Sequence, residues 1–186
     1  MNAQNIPGTI MPDTDLNLGA FSLIETLLSA AGGLSLSQLK AITGLEGSTI
    51  QNWVKRGWVP KSPGKKYNEL QLARILLISA LRDTMQIDKI VKLIEYVNVF
   101  SEKQPGETIR ESRIYNYLCE AMRHMTPSEG ISLEQSRSMV HRLIADYEGP
   151  TPDSKNRLER ALTVMVLYCQ AGRIVSQADG LLSELV

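Results

Sequence analysis

The sequence is short of several things, and each shortage removes a class of protein. It has 2 cysteines in 186 residues. Cys119 and Cys169 lie far apart with no CxxC spacing, which supports neither a disulfide framework nor a zinc module. Only 5% of residues are aromatic, and alternating β-branched runs are few, so a sheet-rich fold is excluded. No apolar run approaches the roughly 18 residues of a membrane helix. The first residues, MNAQNIPGTIMPDTDLN, lack the basic start and apolar stretch of a signal peptide. The expectation is a cytoplasmic protein with no membrane partner. P-loop, GxGxxG, GxSxG and HExxH patterns are all missing. His124 and His141 are single histidines on different expected helices. No catalytic, metal or cofactor-binding residue is expected, and the chain does not read as an enzyme.

Net charge is also missing: 20 basic residues balance 20 acidic ones. That total hides a strong local excess. Residues 35–68 carry Lys40, Lys55, Arg56, Lys61, Lys65 and Lys66 against Glu46 alone, while the flanking regions are slightly acidic. A surface that meets phosphates is governed by such a local excess, not by the sum.

What is present is helical periodicity. Hydrophobic residues make up 43% of the chain, enough for a packed core. Residues 1–17 mix Pro, Gly, Asn and Asp and read as a flexible arm. Phe21, Ile24, Leu27, Leu28 and Ala31 recur at helical steps within 18–33. Leu36, Leu39 and Ile42 follow, with Ser35 or Ser37 as cap and Gly44 as stop. A third short helix spans Ser48 to Arg56, ended by Gly57. The segment Gly57 to Tyr67 contains two prolines and two glycines, which exclude a helix, and its arms Trp58-Val59 and Lys66-Tyr67 suggest a small β-hairpin. Asn68 and Gln71 form a capping-box pattern before a long apolar helix. A further helix covers about 86–97. Residues 99–106 read as a linker, and three more helices follow in 107–186, near 108–125, 132–147 and from 153 onward. The last carries a long apolar stripe that includes Leu158, Leu162, Met165, Cys169 and Val175. Packing on its neighbours and a two-fold subunit interface both account for that stripe.

Residues 34–98 thus have the layout of a winged helix-turn-helix: two short helices, a basic hairpin, then a long apolar helix. Ile50, Trp53 and Val54 share one face of the second helix, which turns Ser48, Thr49, Gln51, Asn52, Lys55 and Arg56 outward. Asn and Gln pair with adenine edges and basic side chains with guanine, so Thr49, Gln51, Asn52 and Lys55 are the candidate base contacts. Ser48, Arg56, Lys61, Lys65, Lys66 and Tyr67 are the candidate phosphate contacts. Each has a plainer reading. Lys55 and Arg56 are favourable cations at a helix C-terminus, the wing lysines guard a hairpin edge, and Trp53, Trp58 and Tyr67 pack.

The segment from Ser48 through Trp53-Val54-Lys55-Arg56-Gly57-Trp58-Val59-Pro60 resembles the second helix and wing entry of the MerR transcription regulators. Lys65-Lys66-Tyr67 resembles the end of their wing, and Leu81-Arg82 through Ile90 their following helix pair. The module is also close to one shared by a bacterial family of uncharacterised proteins. The resemblance covers about a third of the chain. It implies an all-α fold with one small β-hairpin wing, double-stranded DNA as partner, a homodimer, and Lys66 and Tyr67 on phosphate. Gln51-Asn52 replaces the usual Arg-Tyr pair, and Thr84 replaces a glycine. The alternative is a protein-binding adaptor that keeps the module as a scaffold.

Overall fold

The computed structural model describes residues 5–13, 20–62, 64–98, 109–125 and 132–185. Among these are eight helices: α1 (Ala20–Ala31), α2 (Leu36–Thr43), α3 (Gly47–Lys55), α4 (Glu69–Leu81), α5 (Ile87–Val97), α6 (Glu111–His124), α7 (Leu133–Leu143) and α8 (Ser154–Leu185). The only strand-like pairings among the described residues are two isolated bridges, Asn5 with Pro12 and Leu34 with Tyr67. The all-α expectation holds. The expected linker at 99–106 lies outside the described residues.

Local chemistry sets the boundaries. At α2 the Ser35 hydroxyl accepts from the Gln38 amide, and the Ser35 amide donates to Gln38 Oε1. Asn68 and Gln71 exchange the same pair of bonds at α4. Each box satisfies two amides that have no partner inside the helix. Gly57, at φ +78°, ends α3. The Gly57 amide bonds back to Val54 and the Trp58 amide to Trp53, the paired bonds of a Schellman stop.

Helix α4 is the hub. Its residues Leu72, Ile75, Leu76, Leu77, Ile78 and Leu81 have no exposed surface, and it packs on α1, α2, α5, α6 and α8. One hydrophobic core runs from Ile6 to Cys169, so residues 34–98 and the helices after residue 107 share an interior. Phe21 meets Tyr115 edge to face at 6.2 Å, and the Phe21 amide donates to Asn116 Oδ1 at 2.8 Å. Thr84 bonds the Tyr168 carbonyl of α8 at 3.1 Å. Cys119 and Cys169 are buried thiols, and desolvation pushes Cys169 up to about 12.

Two expectations are corrected. The hairpin wing does not form among the described residues. Both backbone groups of Tyr67 are taken by Leu34, the Val59 amide turns back to Trp53, and Pro60 has no amide to donate. The loop is instead closed by Ser62, whose hydroxyl donates to the Lys66 carbonyl. The flexible arm expected at 1–17 is, over residues 5–13, a docked turn. Ile6 is 2% exposed, the Ile10 amide donates to the Ile42 carbonyl at 3.0 Å, and the Tyr115 hydroxyl donates to the Pro7 carbonyl at 2.7 Å. Asp13 holds Arg123 through both carboxylate oxygens. The buried residues Ile6 and Thr9 explain why a Pro- and Gly-containing segment stays in place.

Helix α8 runs unbroken through Gly172 and Gly180. Its first half buries Leu158, Ala161, Leu162, Met165, Val166 and Cys169 against α4, α5, α6 and α7. Glu159 clamps α7 to it, accepting from His141 Nδ1 at 3.0 Å and lying 3.4 Å from Arg137 Nε. These partners, the His141 bond first, hold the Glu159 carboxyl below its ordinary value. A lowered carboxylate pKa stabilises the fold above the unfolded value and loses that effect as pH falls through the folded one. Glu159→Gln should therefore lower stability by about 1 kcal/mol near neutral pH. Its urea midpoint should converge with that of the parent below about pH 4.

Candidate nucleic-acid interface

Helices α2 and α3 are joined by Gly44, Leu45 and Glu46. Gly44, at φ +69°, bonds its amide to the Lys40 carbonyl. A Cβ there would sit 2.7 Å from Ile10 Cγ2, so the docked N-terminal turn presses directly on this joint. Helix α3 is divided lengthwise. Ile50 and Trp53 are 0% and 2% exposed, and Val54 packs against the same core. Ser48, Gln51, Asn52 and Lys55 are exposed, and Thr49 is half-buried. The four candidate base contacts therefore fall on one helix, and three of them are exposed.

Arg56 follows at the C-terminal end of α3. Its guanidinium lies 4.9 Å from the Trp58 ring centroid, and its Nε donates weakly to Asn52 Oδ1 at 3.4 Å. Trp58 is fixed in turn: its indole N–H donates to Asp88 Oδ1 at 2.9 Å, and its carbonyl accepts from Arg74. The loop that follows is anchored to α4 where Gln71 Nε2 donates to the Pro60 carbonyl at 3.0 Å. The segment that follows α3 is thus tied to α4 and α5.

The candidate phosphate contacts divide. Lys61 and Lys65 are exposed, with no ion-pair or hydrogen-bond partner among the described residues. Lys66 donates to the Ala31 carbonyl at the end of α1, the place where a cation best meets a helix C-terminus. Tyr67 is half-buried, and burial raises its phenol above the ordinary value, so it stays a neutral donor. At the start of α3 the N-cap is Glu46, 3.3 Å from Lys40. The Glu46 side chain makes no bond to the first amides of α3, but a negative charge two residues before Ser48 opposes a phosphate there.

Several structural residues behind this surface carry no local sequence signal. Arg74 and Glu111 form an almost fully buried ion pair, with Arg74 Nε donating to Glu111 Oε2 at 2.7 Å. The Ser112 hydroxyl donates to Glu69 Oε1 at 2.7 Å. The pair forms one wall of a cleft of about 860 Å³ lined by the start of α4, the end of α5 and the start of α6. Separations of 37 and 43 residues place these contacts beyond any motif.

The geometry defines a helical protein whose second short helix presents a polar, partly basic face from a rigid support. Residues 11–118 match the family described as a domain of unknown function, DUF1836, and the chain belongs to that family. The matched region covers α1 to α5 and the first half of α6, so it includes the Arg74–Glu111 pair but neither α7 nor α8. No curated protein matches the chain, and neither does any solved structure. No helix among the described residues is long and apolar enough to cross a membrane.

Proposed function

We propose that the chain is a MerR-like DNA-binding transcription regulator that reads double-stranded DNA with the outward face of α3. The observation that carries this reading is the lengthwise division of α3. Ile50 and Trp53 are buried, while Gln51, Asn52 and Lys55 are exposed on the opposite face. Amide side chains beside a cation are what base edges in the major groove require. Lys61 and Lys65, exposed on the loop that follows, supply the sequence-independent attraction to phosphate. Lys66 is better assigned to the end of α1.

The test is retardation of genomic DNA fragments at low salt. Each lysine that meets a phosphate contributes about one unit to the slope of log affinity against log salt. Lys61→Ala with Lys65→Ala should reduce that slope by about two and weaken all sequences alike. Asn52→Ala should instead change which fragments are retained, with about tenfold loss on the preferred ones. If no fragment is retained at low salt, the reading fails, and capture of a protein partner by the same face would establish the adaptor role in its place.

A further inference from the structure

The cleft beside the Arg74–Glu111 pair has inner polar groups that are already satisfied and two outer charges that are not. Arg74 and Glu111 hold each other. Glu69 accepts from the Ser112 hydroxyl, and its charge lies in the first turn of α4, where a helix favours an anion. The Asn98 side chain is spent on the backbone of Ile109, donating to its carbonyl at 3.1 Å and accepting from its amide at 3.0 Å. Two charged side chains of the lining remain. Glu95 in the last turn of α5 and Arg110 just before α6 are both exposed. Neither side chain has an ion-pair or hydrogen-bond partner among the described residues, and the two do not pair with each other. Leu70, 41% exposed, and Pro60 and Ile94 supply an apolar lining.

We infer that this cleft binds a short apolar peptide with free ends, its ammonium at Glu95 and its carboxylate at Arg110. Small-molecule sites enclose roughly 300–1,000 Å³ and combine a mostly apolar wall with a few polar groups that fix orientation. The volume of about 860 Å³ lies in the upper part of that range, which suits two or three residues better than a single amino acid. Charge complementarity selects the class of ligand. A simple carboxylate would leave Glu95 unanswered, and a simple amine would leave Arg110 unanswered. A molecule that carries both signs on an apolar body answers both. An internal segment of another protein has no terminal charges to offer. The two bonds between Asn98 and Ile109 tie the end of α5 to the start of α6. The charged groups are therefore held on a fixed base before a ligand arrives, which lowers the ordering cost of binding.

The inference does not rest on DNA binding, and its test uses the full chain without DNA. A pool of all di- and tripeptides built from alanine, valine, leucine and phenylalanine is equilibrated with the protein. Peptides retained on ultrafiltration are identified by mass spectrometry. At least one should be retained, with a dissociation constant at or below about 100 µM by calorimetry. Free leucine should bind about tenfold more weakly, having less apolar body to bury. Glu95→Gln and Arg110→Gln should each weaken the retained peptide about fivefold, the scale of one partly exposed ion pair. Both variants should melt with the parent, since the substituted side chains are exposed and unpartnered. Acetylating the peptide's amine should cost the parent the same factor and cost Glu95→Gln nothing further. Amidating its carboxylate should behave in the same way toward Arg110→Gln. Retention of no peptide, or of a peptide indifferent to both substitutions, overturns the inference. So does octanoate or octylamine binding as tightly as the peptide.

Discussion

Replacing Glu111 by alanine is expected to cost the fold about 3–5 kcal/mol, because it strands a buried guanidinium. Glu111 is 4% exposed and the Arg74 side chain 12%. Both Nε and Nη2 of Arg74 are held by the carboxylate. With the carboxylate gone, Arg74 keeps only a 3.4 Å bond to the Trp58 carbonyl. The asymmetry between breaking and replacing the pair gives the test its discrimination. Arg74→Met combined with Glu111→Leu should unfold near the parent's urea midpoint, since apolar residues of similar volume remove both desolvation penalties at once. Single variants that cost less than about 1 kcal/mol would show that water reaches the pair. The consequence extends to the exposed face of α3, because Arg74 holds the Trp58 backbone and Trp58 lies under Arg56.

Gly8→Ala should destabilise the chain by about 2–4 kcal/mol, a large effect for one added methyl group. Gly8 sits at φ +76°, where a side chain costs roughly 1–2 kcal/mol. Its new Cβ would lie 2.4 Å from the Leu76 carbonyl oxygen and 2.9 Å from the Ala80 amide. Those are backbone atoms of the central helix, which cannot step aside. The N-terminal turn must lift instead, exposing Ile6, worth roughly 1.5–3 kcal/mol when buried. Thermal unfolding would report the loss. Limited proteolysis should cut the variant within residues 5–13 at a protease dose that spares the parent. Equal resistance in both would mean that the turn is not held as described.

The helices were readable because their signals are local. The capping boxes at Ser35 and Asn68 and the glycine stop at Gly57 each lie within six residues of what they control. The division of α3 followed from spacing alone, and Ile50 and Trp53 are buried as that spacing requires. The hairpin was misread because its arms have the right composition, yet strand pairing depends on which backbone groups are already engaged. Tyr67 had been claimed by Leu34, 33 residues earlier in the chain. The docked turn was misread for the opposite reason. Proline, glycine and asparagine suggest freedom, and only the tertiary contacts of Ile6, Ile10 and Asp13 remove it. The apolar stripe of α8 was visible from Leu158 onward, but that its burial ends after Gln170 depends on where the other helices stop.

The embrace of Asp13 by Arg123, 110 residues later, has a consequence for how the chain comes to be folded during synthesis. This segment is made well before part of its seat, since that seat includes Tyr115 and Arg123 of α6. At roughly 5–20 residues per second, several seconds of synthesis separate the turn from α6. Its docking then closes the loop formed by most of the chain. The turn's contacts with α2 and α4 need only the first half of the chain, whereas its bonds to Tyr115 and Arg123 can form only once α6 has been made.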